Sequence, residues 1–262
     1  MNLEQVLKRT IKVAETAGSF IIEQGKDFSI DVVEKKGHQD YVSFVDKEAE
    51  RILVEGLRGI LPDSGFIAEE NTAGHQNEKH LWIVDPLDGT TNFIHGVAPY
   101  AISIALQIDG KTALGLVYEL GQKELFYSCS GMPVYCNQKV VSVSKADGLK
   151  NALIATGFHT SNFERLDQQL KVLKKIVEGS HGLRRHGSAA TDLAYVAAGR
   201  FDGFFEYGLN PWDVAAGAFL VQQAGGIVSD YTGGGNYMFG KEMIAGSPKV
   251  HDDLLSLLKT KF

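Results

Sequence analysis

Apolar positions along the chain switch between helical and strand-like spacing. Leu3, Val6, Leu7, Val13, Ala17, Phe20 and Ile21 recur every three or four residues, the stripe of an amphipathic helix that Gly25 would end. A second stripe, Ala49, Ile52, Leu53, Leu57, Ile60 and Leu61, predicts a helix stopped by Pro62. Lys36, Asp40 and Asp46 lie on or beside the loop before it, where Asp46 reads as an N-cap or first-turn acid. Gly65 to Ala68 predicts a short strand ending at Glu69 and Glu70. Leu81 to Val84 is an unbroken apolar run, as expected of a strand buried on both faces, and it stops at Asp85. Open α/β sheets place ligands beyond the carboxyl ends of their strands, and two such ends here carry acids. Side by side, these strands would set Glu69 facing Asp85, a repulsion that a cation would relieve.

From Tyr100 to Ser144 strand follows strand, with turn signals at Asp109-Gly110, Leu120-Gly121 and Ser130-Gly131, which predicts an antiparallel meander. The polar stretch from Lys145 to Lys150 reads as a connection between two halves. Beyond it come a strand in Ala152 to Phe158 and a helix from Phe163 to Glu178 with Leu166, Leu170, Leu173 and Val177 facing inward. Gly187 and Ser188 precede a helix from Ala189 to Ala198, which Gly199 ends. Phe201 to Phe205 reads as a strand delivering Glu206, and Asp213 as the N-cap opening a helix from Val214 to Ala224. Two more strands, around Ile227 and Ile244, and a short helix from Leu254 to Leu258 complete a mixed α/β chain.

Composition narrows the partners. The 262 residues are 44% hydrophobic and 22% charged, which excludes a disordered chain and suits one unit of two packed halves, about 1–147 and 148–262. A net charge of −6 offers no electrostatic reason to expect nucleic acid or an anionic membrane. The N-terminus does not resemble a signal peptide and no apolar run reaches the ~18 residues of a membrane span, so a cytoplasmic location is expected. Cys129 and Cys136 are expected to be reduced thiols without a chemical role.

The candidate chemistry concentrates in Leu81 to His95, L-W-I-V-D-P-L-D-G-T-T-N-F-I-H. Pro86 fixes an irregular turn in which the Leu87 carbonyl can point the same way as the Asp85 and Asp88 carboxylates. Three oxygens so placed make half of the all-oxygen shell that a hard divalent cation takes, and the N–H groups after Gly89 could hold a phosphate. An Asx-turn with both acids solvated uses the same residues. A covalent aspartyl-phosphate mechanism would place its nucleophile two residues before Asp88, where Pro86 stands, so the acid pair points to metal-assisted attack by water.

Taken together, G-F-I-A-E-E, W-I-V-D-P-L-D-G-T-T-N-F and N-P-W-D-V-A-A-G resemble the inositol monophosphatase family of Mg²⁺-dependent, lithium-sensitive phosphatases, in the family's order and over essentially the whole length. The resemblance implies a layered α-β-α-β-α sandwich of the inositol monophosphatase and fructose-1,6-bisphosphatase type. It implies two or three Mg²⁺ ions: one on Glu69, Asp85 and the Leu87 carbonyl, a second on Asp85, Asp88 and Asp213, and a weaker third on Glu69. Thr90 and Glu69 match the pair that activates the attacking water, with Asp46 assisting. Gly89 and Thr90 would bind phosphate, and Lys36, Asp88, Gly187, Ser188, Ala189, Glu206 and Asp213 fall at substrate-binding positions. Thr91 and Asn92 match inositol monophosphatases better than relatives acting on 3′-phosphoadenosine nucleotides, fructose 1,6-bisphosphate or histidinol phosphate, whereas Asn210 replaces a histidine of some members. The implied partners are a small phosphorylated polyol and a second copy of the chain in a homodimer. Some bacterial members also attach to the transcription machinery; here Arg184, Arg185 and His186 form a small basic cluster that reads equally as solvated surface or a dimer contact.

Overall fold

A computed structural model describes residues 1–26, 38–70, 79–158 and 163–259, with only the backbone of 38–43. Its helices α1 (Leu3–Lys26) and α2 (His38–Ile60) lie side by side on one face of a seven-stranded sheet. That sheet runs in chain order through β1 (Gly65–Ala68), β2 (His80–Asp88), β3 (Ala101–Ile108), β4 (Lys111–Glu119), β5 (Glu124–Cys129), β6 (Val134–Cys136) and β7 (Lys139–Val141). β1 and β2 are parallel and β2 to β7 form the antiparallel meander. The short helix α3 (Thr90–Ile94) follows β2 directly.

A five-stranded sheet, ordered β11-β12-β10-β8-β9, is built from β8 (Leu153–Thr156), β9 (Gly182–Arg184), β10 (Gly203–Tyr207), β11 (Ile227–Ser229) and β12 (Glu242–Gly246). Helices α5 (Ala189–Ala197) and α6 (Pro211–Gln223) lie between the two sheets, whereas α4 (Leu166–Gly179) and α7 (Pro248–Lys259) cover the far face of the second sheet. The result is the α-β-α-β-α sandwich.

Alternation explains the layers. In β2, Trp82 and Val84 pack under α1 and α2 while Ile83 faces α5 and α6, so the run must be apolar throughout. Every residue of α6 from Val214 to Val221 is buried, as a helix enclosed between two sheets requires. Its backbone approaches β4 so closely that a Cβ at Gly115 would lie 2.8 Å from the Ala216 carbonyl oxygen.

Four expectations need correction. α2 begins near His38, so Asp46 is neither cap nor first-turn acid but a buried residue inside the helix. α4 turns a different face inward: Gln169, Val172, Leu173 and Ile176 are buried, while Leu170 and Val177 are exposed. α6 starts at Pro211 with Asn210 as N-cap; Asp213 is the third helical residue, and its Oδ2 accepts from the Asn210 N–H at 2.7 Å in a capping box. The C-terminal helix is also longer than expected, because Pro248 occupies its first turn, where proline is tolerated.

Candidate active site

The parallel pairing of β1 and β2, with Ala68 opposite Val84, brings the next residues, Glu69 and Asp85, together at the strand ends, and they share a hydrogen bond. A register shift between Asp85 and Asp88 lets β2 turn, and the Leu87 N–H donates to Asp85 Oδ1 at 2.9 Å. The Leu87 carbonyl accepts from Thr90 Oγ1 at 2.9 Å. Gly89 stands between them at φ +86, and a Cβ there would meet the Pro99 and Gly187 carbonyls at 3.0 and 3.1 Å.

Asp88 reaches across to the second half of the chain. Its Oδ2 accepts from Ser188 Oγ at 2.6 Å and from the Ala190 N–H at 2.8 Å, so the start of α5 holds this carboxylate. Asp213, from the first turn of α6, completes the group: Asp85, Asp88 and Asp213 each offer an oxygen within 4.8 Å of the others.

Electrostatics show what such crowding costs. Burial, then Glu69, Asp88 and Asp213, push the Asp85 carboxyl well above its usual range. Asp213 is pushed up to about 8 by burial and then by Asp88. Asp88 rises only to about 6, since Ser188 and backbone N–H groups offset its burial. Glu69 opens onto the cleft, yet the walls around it remove enough water, with Asp88, Asp46 and Glu70 adding repulsion, to raise it to about 7. Asp46 also reaches about 7, through burial and then Glu70 and Glu50, and its Oδ1 has no hydrogen-bond partner among the described residues. Clustered carboxylates, an orphaned buried oxygen and an all-oxygen donor set fit a hard divalent cation.

Of these acids Glu69, Asp88 and Asp213 line a cavity of about 490 Å³, together with Gly89, Thr90 and Thr91. The same cavity is lined by Gly187, Ser188 and Ala189 and by Gly157, Phe158, Arg185, Glu206 and Lys241. Glu206 lies within β10 and is pushed up to about 8, by burial first and then by Asp88 and Asp213, with Arg185 opposing. Asn210 borders the cavity beside Asp213.

Other residues have tasks that spacing did not reveal. Lys36 lies outside the described residues. Asn92 is buried, and its amide donates to the Pro99 and His186 carbonyls at 2.7 Å each, tying α3 to the second half. Phe93 packs edge-on against Tyr100 in the core, which leaves Thr91 as the member of T-N-F that borders the cleft. The basic cluster divides. Arg184 is exposed at the end of β9, His186 packs on Phe201 and Tyr195 beside buried Asp192, and Arg185 enters the cleft as a cation that sequence reasoning placed at the surface. The glycine two residues later was the available signal, because the Arg185 guanidinium crosses the space a Cβ at Gly187 would fill.

A model of the inositol monophosphatase family matches residues 2–260. The Nus factor SuhB of Escherichia coli is 39% identical over 258 residues, covering 98% of this chain and 97% of that protein. Among solved structures, the extragenic suppressor protein suhB from Bartonella henselae has a TM-score of 0.89 at 37% identity, covering 98% of this chain and 100% of that one. The inositol monophosphatase from Anabaena (Nostoc) sp. PCC 7120 has a TM-score of 0.85 at 31% identity, covering 100% and 98%. The shared layered fold, the acid cluster at the strand ends and the full-length match agree: this chain belongs to the inositol monophosphatase family.

Proposed function

We propose that this protein is a Mg²⁺-dependent phosphomonoesterase that hydrolyses inositol monophosphate to inositol and phosphate without a covalent intermediate. The observation that carries the reading is a single cleft lined by Glu69, Asp88 and Asp213, which group with buried Asp85, and also by Glu206 and Arg185. Glu69, Asp85 and the Leu87 carbonyl would hold one Mg²⁺, and Asp85, Asp88 and Asp213 a second, with Glu69 available to a third. Bound there, Mg²⁺ supplies Lewis-acid stabilisation of phosphoryl oxygens and acidifies water.

The chain's own groups do the rest. Thr90 Oγ1 and the Glu69 carboxylate orient water for in-line attack, and Glu69 takes its proton with Asp46 behind it. The backbone at Gly89 and Thr90, whose first N–H lies on the Asp88 carboxylate, would receive the phosphate, and Glu206 would accept a hydroxyl of the departing polyol. With proline at position 86, no carboxylate stands where a covalent nucleophile is needed.

The test compares kcat/KM on inositol 1-phosphate, adenosine 3′,5′-bisphosphate, fructose 1,6-bisphosphate and histidinol phosphate, with Mg²⁺ and with chelator. Preference for any of the last three overturns the substrate, and a fully active Asp85→Ala protein overturns the metal mechanism. Inhibition by Li⁺, a cytoplasmic location and a homodimer belong to the same proposal, checked by inhibition curves, cell fractionation and light scattering.

A second reading, as a binding factor for the transcription machinery, is favoured by the name Nus factor borne by relatives at 39% identity. Retention of RNA polymerase subunits by the Asp85→Ala protein supports it; efficient turnover with no polymerase retained dismisses it.

A further inference from the structure

α4 buries a glutamine where its spacing called for leucine. Gln169 is 1% exposed, and its Nε2 donates to the Gly157 carbonyl at 2.6 Å. Gly157 follows β8 directly and lines the cleft. β8 and β10 are parallel with Thr156 opposite Phe205, so the register sets Gly157 beside Glu206. Thr156 Oγ1 donates to the Phe205 carbonyl at 2.8 Å, which locks the two strand ends together. The Glu206 carboxylate lies against Gly157, in the space that a Cβ would occupy.

Each part matters because the Glu206 carboxylate has no hydrogen bond among the described residues. Its position in the cleft is set by packing against the Gly157 backbone, and that backbone is held from below by one buried amide. A buried polar side chain on a helix face otherwise made of Val172, Leu173 and Ile176 is costly unless it is used, and here it is used on the wall of the substrate cleft.

We infer that Gln169 is a positioning residue for substrate selection: through the Gly157 carbonyl it sets where Glu206 presents its carboxylate to a hydroxyl of the polyol. The inference rests on the reading of Glu206 as the hydroxyl acceptor, so the experiment includes that residue as its reference. The measured quantity is the ratio of kcat/KM on inositol 1-phosphate to that on p-nitrophenyl phosphate, whose leaving group has no polyol hydroxyls.

Gln169→Met keeps length and volume but removes the donor. It is expected to lower the ratio about two- to tenfold, the worth of one hydrogen bond, through KM for inositol 1-phosphate. Turnover of p-nitrophenyl phosphate and the Mg²⁺ activation midpoint should stay at wild-type values. Gly157→Ala, which forces the Glu206 carboxylate aside, is expected to lower the ratio further and provides the test if Gln169→Met does not fold. Adding Gln169→Met to Glu206→Ala should change nothing more. If Glu206→Ala lowers the ratio but Gln169→Met and Gly157→Ala do not, or if the effects simply add, the positioning role is overturned. Equal losses on both substrates, or a shifted Mg²⁺ midpoint, reduce Gln169 to a structural residue. An unchanged ratio in Glu206→Ala overturns the reading of Glu206, and the role of Gln169 falls with it.

Discussion

Two pairs of parallel strands deliver their ends to the same cleft, and they differ in the side chains placed at those ends. Glu69 just past β1 and Asp85 near the end of β2 are two adjacent carboxylates, joined by Asp88 and Asp213. After β8 comes Gly157, and its neighbour on β10 is the single carboxylate of Glu206, with Arg185 in the same wall. Similar backbone geometry therefore yields two kinds of site. Where acids are crowded, the folded chain bears a repulsion that a cation can relieve. Where a glycine leaves room for an acid, Glu206 is buried and feels Asp88 and Asp213 with Arg185 opposing them. The distribution of charge, more than the backbone, distinguishes these two strand pairs.

The largest effect should come from thinning the crowded end. Asp213→Asn keeps an oxygen to accept from the Asn210 N–H, so the start of α6 survives while a charge beside Asp85 and Asp88 disappears. Turnover is expected to fall on the order of 10²- to 10³-fold, the scale of losing one preorganised electrostatic group. Wild-type protein should gain about 2.7 kcal/mol at a hundredfold excess of Mg²⁺ over Kd, and the variant much less at the same concentration. Thermal melts across a Mg²⁺ titration check this, and identical shifts would remove Asp213 from the second ion.

A pH titration of the metal-free protein sharpens the contrast. Asp46 and Glu69 are raised to about 7 and Asp213 and Glu206 to about 8, above ordinary carboxylates, so the folded chain holds protons that the unfolded chain releases. Their contribution is fully present below the unfolded values and is lost as pH rises through 7 to 8. In chelator, the melting temperature should therefore fall between pH 6 and pH 8.5, and Mg²⁺ should flatten that slope. A flat or rising curve without metal would mean that the cluster is not crowded in solution.

The smallest effect is expected at the junction of the halves. Ser188→Ala removes both the N-cap of α5 and the hydroxyl on Asp88 Oδ2, costing about 1 kcal/mol of stability. Mg²⁺ affinity should weaken roughly tenfold, as when a partner that orients a metal ligand is lost. Denaturant melts and metal titration read the two separately; lost stability with unaltered Mg²⁺ affinity would leave Ser188 as a cap alone.

Local pattern carried much of this protein. The apolar run of β2 ending at Asp85, the meander turned at Asp109-Gly110 and the motifs around Asp88 and Asp213 were legible because period, turn residues and short-range acid spacing are properties of neighbouring residues. What failed was whatever another element had to decide. The stripe of Leu166, Leu170, Leu173 and Val177 has helical spacing, yet it lies about one residue around α4 from the face that the second sheet covers, and Gln169 is inside because the Gly157 carbonyl waits there. Asp46 looked like a cap because no local signal placed the start of α2 two turns earlier. Arg185 and Asn92 carry no chemistry in the linear sequence; a cleft wall and two carbonyls, one of them ninety-four residues away, assign it. The sequence by itself thus determined which segments are strands and helices and which carboxylates end them, since backbone preference and burial act locally. Only the tertiary structure decided which carboxylates meet, because repulsion, desolvation and hydrogen bonding depend on distances that the packing of two sheets creates.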